Sequence, residues 1–272
     1  MVIVCLNGRL GNQLFQYAFA VALSKKLNTS YVIDDRLVVD SVKKYFERIN
    51  ITDNQYLRRI VKRYYRDRMP IVEQTGFEEV DISKNLVNNN VYYSGYFQSE
   101  KYIDSIKSSL KDIFKIKHIY EQQFVDKYAS LFKNKKVLAI HYRIGDYAVW
   151  GGELLGGSNM VLPDSYYENA LKLIPDYENY KVVLVTDDAK SAQAKLPFIK
   201  DKLVVSDQEI LDFQVLMNAD KLIISNSTFA WWAASLNKKN AEVFAPEFWI
   251  GFKVKKEYPV GIISSSFVKV AF

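Results

Sequence analysis

Runs of consecutive apolar residues alternate along this chain with segments whose apolar positions recur every three or four residues. The alternation is regular in the second half. VLAIH (137–141), KVVLVT (181–186), KLVVS (202–206), KLIIS (221–225) and AEVFAP (241–246) read as buried strands, the last closing the series. DSYYENALKLI (164–174), AKSAQAKL (189–196), SDQEILDFQVLMNA (206–219) and TFAWWAASL (228–236) read as the helices around them. Asp164 is the expected cap of the first, and Ser206 with Glu209 has the spacing of a capping box. Strands without polar alternation, separated by helices, predict a parallel sheet covered on both faces.

The first half is less regular. MVIVCL (1–6), SYVID (30–34) and NVYYSGYF (90–97) read as strands. NQLFQYAFAVALSKKL (12–27), the basic YLRRIVKRYYRDRMP (56–70) and SEKYIDSIKSSLKDIF (99–114) read as helices. A new alternating pattern begins after the polar KNKK (133–136), so the boundary is expected there. The expectation is two α/β domains, 1–134 and 135–272, each with a partial or complete doubly wound sheet.

Polar chemistry collects where the apolar strands end. HYRIGDY (141–147) follows VLAI, TDD (186–188) follows VVLV, SNST (225–228) follows KLII and EFW (247–249) follows EVFAP. Open parallel sheets bind ligands outside the carboxyl ends of their strands, so several such clusters on one edge predict a site. Arg143 offers a planar fork that matches a phosphate, or makes a surface ion pair. The SNST run, with Ser227 and Thr228, opens a helix whose N–H groups suit a phosphate, or is an ordinary cap. Asp187 and Asp188 accept hydrogen bonds from a ribose or base, or cap the following helix. Asp146 and Glu153 are the candidate bases for a hydroxyl nucleophile. Asp146 has a second reading as a brace for Arg143. Glu153 lies in the glycine-rich WGGELLGGSN (150–159), a loop able to close over substrate. Phe229, Trp231 and Trp232 read as core packing, and Asp212 taken alone as an exposed helix residue.

Absences narrow the chemistry. The chain has no Asp-x-Asp triplet, no G-x-S-x-G elbow, no P-loop and no G-x-G-x-x-G, and two histidines with one cysteine cannot build a zinc site. What remains is a diphosphate held by arginine and a helix N-terminus, with no metal and no cofactor. At 272 residues and 49% hydrophobic composition the chain can bury a large core. The lone Cys5 fits a reducing compartment, and the sequence has neither a signal peptide nor a membrane-length apolar run, so the expected location is the cytoplasm. The formal charge of +6 is concentrated partly in 56–70. That segment is a solvated helix face or a surface for anionic lipid headgroups or substrate. No motif accompanies it that would read nucleic acid.

GRLGNQLFQYAFA (8–20), GYFQSEKYI (95–103), HYRIGDY, VTDD (185–188), DFQVLMNADKLIISNSTFAWWAASL (212–236) and FAPEFW (244–249) together resemble the bacterial α1,2-fucosyltransferases of glycosyltransferase family 11, in the family's order and over nearly the whole chain. The resemblance implies a GT-B arrangement, two Rossmann-like domains facing a cleft, the second binding GDP-fucose and the first serving the acceptor side. It implies inverting, metal-independent transfer of L-fucose to the 2-hydroxyl of a galactoside in surface-glycan synthesis. The acceptor would be an oligosaccharide, lipid-linked if the basic segment meets the cytoplasmic face of an anionic membrane. By position, Arg143 would hold the β-phosphate and stabilise departing GDP, His141 would sit beside the nucleotide and Asp212 would read the guanine. Ser227 and Thr228 would cradle the diphosphate, and Asn12 would reach across the cleft. Ile144 stands where the family often has a second arginine, which keeps another GDP-sugar such as GDP-colitose open as donor. A binding module without turnover is the reading from a different class.

Overall fold

The computed structural model describes residues 1–40, 42–51, 68–82 and 90–272. The chain forms two compact units, Met1–Ile116 with Pro259–Ile262, and Lys117–Tyr258 with Ile263–Phe272. The division falls ahead of the expected boundary at 134 and 135. The reason is the helix His118–Tyr128, which packs on the helix Glu209–Met217. Gln214 donates its side-chain N–H to the carbonyl of Tyr120 at 2.9 Å, a tie between residues far apart in sequence. KNKK is therefore a surface turn inside the second unit.

In the first unit, β1 (Val2–Cys5), β2 (Tyr31–Asp34), β3 (Ile71–Glu73) and β4 (Val91–Ser94) form a parallel sheet ordered β2-β1-β4-β3. The helix Leu10–Lys26 buries its glutamines as well as its apolar side chains. Gln13 accepts from the Val42 N–H at 2.7 Å and donates to the carbonyls of Gly8 and Asp40 at 3.0 Å. Gln16 exchanges hydrogen bonds with Asn7, at 3.0 and 3.3 Å. Both amides thus satisfy the loop that precedes the helix, which is what makes their burial tolerable. The single helix expected over 99–114 is instead three short pieces, Glu100–Ile103, a 3₁₀ segment Asp104–Ser109, and Leu110–Ile113. Asp104, Ser105, Ser108 and Ser109 crowd its middle, and such side chains compete for the backbone hydrogen bonds of a helix. The strand β3, short and at the sheet edge, has no counterpart in the expected elements. The helix expected over the basic segment 56–70 falls, up to residue 67, outside the described residues; Arg68 is exposed.

In the second unit, β5 (Val137–Tyr142), β8 (Lys181–Thr186), β9 (Lys202–Val205), β10 (Lys221–Ile223), β11 (Glu242–Pro246) and β12 (Val268–Val270) form a parallel sheet, while β6 (Gly151–Gly152) and β7 (Gly157–Ser158) pair as a small antiparallel hairpin. The parallel sheet is ordered β12-β11-β10-β5-β8-β9. Counted within the unit this is the 3-2-1-4-5-6 order of dinucleotide-binding sheets, and its strand order reverses between β5 and β10. AEVFAP is not the last strand: β12 extends the sheet beyond it, with only three residues and mixed burial to signal it. The apolar runs of β5 and β8 are buried, and Leu138, Ile140, Val182 and Leu184 share a cluster with Tyr166, Tyr167 and Leu171 of the helix Asp164–Lys172. Each such aliphatic side chain contributes about 1.5–3 kcal/mol by burial.

Two caps differ from expectation. Asp164 is the first helical residue after Pro163 and accepts the Tyr142 hydroxyl at 3.3 Å. The capping box does not form, since the helix starts at Glu209, behind Gln208. Among the described residues no helix is long and apolar enough to cross a membrane.

Candidate functional site

The site is assembled at the carboxyl ends of β5, β8 and β10. His141 is the penultimate residue of β5 and is buried, 4% exposed. Its Nδ1 lies 2.7 Å from the Ser225 hydroxyl, beyond the end of β10. Burial first, and then the nearby Arg143 charge, pull its pKa down to about 3, so the imidazole is neutral near pH 7. The ring also stands 5.7 Å from Phe229, which packs edge-on against Phe213 at 5.2 Å. That chain of rings joins β5 to the helices Thr228–Ser235 and Glu209–Met217.

Arg143 follows β5 directly. One terminal nitrogen, Nη1, pairs with Asp187 at 2.7 Å, and the other, Nη2, donates to Asp146 at 2.5 Å. The guanidinium also lies 5.4 Å from the Tyr147 ring centre. Its side chain is 13% exposed, against 53% for Asp146 and 24% for Asp187. The Asp146 pair is exposed on the acid side and adds little to stability; its effect is to aim the fork. A guanidinium carries five N–H donors, so the two ion pairs leave donors for a phosphate.

The two acids after β8 have protein partners. Asp187 accepts the Ile144 N–H at 2.9 Å besides pairing with Arg143. Asp188 caps the helix Ala189–Gln193, taking both the N–H of Ser191 at 3.0 Å and its hydroxyl at 2.5 Å. Of the helix cap that the sequence offered for both acids, only Asp188 forms one; Asp187 instead braces Arg143. Ile144 itself is partly buried and packs against the apolar cluster beneath β5.

In the SNST run each residue has a different place. Ser225 meets His141. Asn226 is buried; its amide donates to the Met160 carbonyl at 2.9 Å, and its own carbonyl accepts the Tyr147 hydroxyl at 3.1 Å. Its side-chain oxygen is buried with no hydrogen-bond partner. Ser227 is the N-cap residue of the helix Thr228–Ser235 but makes no side-chain cap bond, and Thr228 opens the first turn beside it. Trp231 and Trp232 are buried in the core, as their helical stripe predicted.

The remaining candidates spread further. Asp212 is buried, not exposed, and both its oxygens accept the Asp207 N–H, at 3.0 and 3.1 Å. Burial pushes its pKa up to about 7 despite that hydrogen bond. It braces the turn after β9, which in turn holds Lys127 and Tyr128 through Asp207. Glu153 is exposed at the crest of the β6–β7 hairpin. Asn12 lies in the first unit, at the start of the helix Leu10–Lys26, and accepts from the Gln98 amide at 2.9 Å. Among the described residues, no group of three or more His, Cys, Asp or Glu is placed to hold a metal ion.

Sequence reasoning missed Tyr147 and Asn226, which tie the arginine loop to the SNST turn, and Tyr166, whose hydroxyl donates to the carbonyls of Ile224 at 2.6 Å and Phe244 at 3.1 Å. The available signal was that tyrosines buried within an apolar helix, or beside a strand end, need a hydrogen-bond partner.

The chain is 28% identical over 90% of its length to the O-antigen biosynthesis glycosyltransferase WbnK of Escherichia coli, of which 93% is covered. It is 24% identical to an α1,2-colitosyltransferase of the same organism, covering 92% of each chain. In three dimensions it matches the NodZ α1,6-fucosyltransferase of Bradyrhizobium, solved with GDP-fucose, with a TM-score of 0.54 over 86% of this chain and 91% of that one. At 14% identity that match speaks for the fold, a GT-B-like pair of Rossmann-like α/β units. The signature of Glycosyl transferase family 11 spans residues 1–257, and with the arginine loop and SNST turn at one switch point the chain belongs to that family of glycosyltransferases.

Proposed function

We propose that the protein transfers L-fucose from GDP-fucose to the 2-hydroxyl of a galactoside, with inversion and without a metal ion. The observation that carries this reading is Arg143, held by Asp146 and Asp187 at the β5 end, one strand from the helix opened by Ser227 and Thr228. A guanidinium and a helix N-terminus together suit a diphosphate. The acceptor oxygen attacks the anomeric carbon, the bond from that carbon to the β-phosphate oxygen breaks, and GDP leaves with the electron pair. Arg143 meets the charge that develops on the leaving oxygen, where fixed donors lower barriers most.

Glu153 is the better placed base. Asp146 is tied to Arg143, whereas Glu153 stands exposed on the hairpin that follows the arginine loop. Asp212 supports the guanine end indirectly, by holding the turn after β9. His141, neutral and bound to Ser225, orders the nucleotide side of the strand end.

The relative that builds O-antigen supports a surface polysaccharide as the setting; the basic segment 56–70 is the ground for a lipid-linked oligosaccharide acceptor at the cytoplasmic face of the membrane. The colitosyltransferase relative supports a second reading in which GDP-colitose is the donor. Calorimetric titration with GDP and with UDP in excess EDTA tests the donor class. Saturable binding of GDP alone is expected, and folded protein that ignores GDP would end the proposal. A turnover panel of GDP-fucose, GDP-colitose and GDP-mannose then separates the two readings, with Arg143→Ala inactive on every donor.

A further inference from the structure

The chain has four tryptophans, and three of them, Trp231, Trp232 and Trp249, are at most 2% exposed. Trp150 is 41% exposed. It stands immediately before the β6–β7 hairpin, and its ring lies 5.4 Å from Tyr147, tilted by 35°. Tyr147 in turn lies under the Arg143 guanidinium at 5.4 Å. A row of planar groups therefore leads outward from the arginine, and Trp150 is its exposed end.

Two anchors fix the start of this row. The Tyr147 hydroxyl donates to the Asn226 carbonyl, and the Met160 N–H donates to the Tyr147 carbonyl at 2.8 Å. The hairpin beyond Trp150 is held as well: Leu155 is buried at its crest, and the Lys253 ammonium donates to the Ser158 carbonyl at 2.5 Å. Trp150 is thus a large apolar ring presented on a braced segment. Val149 and Leu154 are exposed near it in the chain, so the indole does not stand alone as an exposed apolar group.

We propose that Trp150 is the acceptor-sugar platform, and that the apolar C–H face of the galactoside ring stacks on its indole. This rests on the reading of Arg143 as the diphosphate grip. The acceptor hydroxyl must reach the anomeric carbon attached to that diphosphate, so the acceptor ring lies close to the arginine. Two ring spacings along the row are the scale of a monosaccharide beside its donor. A pyranose needs both an apolar surface and hydrogen-bond partners, and the Glu153 carboxylate, three residues along, supplies an acceptor for its hydroxyls. Trp150 touches substrate and sets which acceptor is held; it takes no part in bond breaking.

The test uses the whole protein with saturating GDP and three β-galactoside probes, lactose, N-acetyllactosamine and β1,3-galactosyl-N-acetylgalactosamine. At least one probe should alter the tryptophan emission of the wild type and protect it from acrylamide, and Trp150→Phe should abolish that response. Trp150→Ala should raise the acceptor KM roughly tenfold, as loss of a tryptophan contact commonly does, with a smaller change in kcat and an unchanged Kd for GDP. An acceptor KM within twofold of wild type, with GDP binding intact, overturns the platform alone. Emission unmoved by all three galactosides overturns it too, independently of turnover. Failure of the wild type to bind GDP refutes the donor reading, and the platform that rests on it falls with it.

Discussion

Nδ1 of His141 lies 2.7 Å from the hydroxyl of Ser225, and this contact bridges β5 and β10 where the order of the sheet reverses. At a switch point the connections leave the two strands toward opposite faces and open a crevice. A hydrogen bond between the strand ends sets the floor of that crevice. Ser225→Ala removes the partner from a buried ring nitrogen, which costs roughly 1–3 kcal/mol. Urea unfolding should show that loss, and GDP titration should show weaker binding. Equal stability in the two proteins would mean that the imidazole finds another partner.

Gly145 tests the Arg143 brace from the other side. Its φ is +21°, and a Cβ built there would lie 2.3 Å from Asp187 Oδ2, the atom that pairs with Arg143. Gly145→Ala should push Asp187 away and release the fork, weakening GDP binding by about tenfold, the equivalent of ~1.4 kcal/mol. The variant should stay folded, because the clash is with a side chain at the sheet edge. Unaltered GDP affinity would show that the Arg143–Asp187 pair is dispensable for the diphosphate.

Asp146 and Glu153 separate by variant kinetics. If Glu153 takes the acceptor proton, Glu153→Gln should lower kcat by 10²–10⁴-fold, about the range of general acid–base catalysis, with little effect on GDP affinity. Asp146→Asn removes a charge from Arg143 and should alter GDP affinity first. Steady-state kinetics beside GDP titrations distinguish them, and the reverse pattern would make Asp146 the base.

Two buried titrating groups oppose each other in acid. His141 has its pKa drawn down from 6.5 to about 3, so between those values the unfolded chain binds a proton that the folded one refuses. Stability is lost from this source as pH falls below 6.5. Asp212 has its pKa raised from 3.8 to about 7, so the folded chain holds a proton that the unfolded one has released. Stability is gained from this source as pH falls from 7 toward 3.8. Each contributes at most about 1.4 kcal/mol per pH unit. Asp212→Asn keeps an oxygen for the Asp207 N–H but abolishes the second effect. The variant's stability relative to wild type should therefore rise between pH 4 and pH 7.5, read by urea unfolding. A difference that is constant with pH would show that Asp212 does not titrate in this window.

Much of the second unit was legible in the sequence. β5, β8, β10 and β11 coincide with apolar runs because a strand covered on both faces has no polar positions to blur it, while the edge strand β9 was legible although Leu203 is exposed. HYRIGDY and SNST stood out because polar residues interrupt otherwise apolar runs, although His141, Ser225, Asn226 and Ser227 stay buried. The short edge strands β3 and β12, the glycine hairpin and the broken helix over 99–114 were not legible. Their burial is partial or their periodicity is set by competing side-chain bonds.

What the sequence by itself determined is the strand–helix alternation, the residues at the strand ends and the family that shares them. Which strand ends become neighbours was decided by tertiary structure, since pairing β5 with β10 brings together residues 84 positions apart. So were the partners of single carboxylates, only some of which the sequence had offered. Asp188 became a cap, Asp187 a brace for Arg143 and Asp212 a buried anchor, because each carboxylate took the nearest N–H or guanidinium that folding brought to it. The spacing of residues along a chain states which groups are available. The distance and burial that give each group its partner, its pKa and its role exist only after the sheet has closed around them.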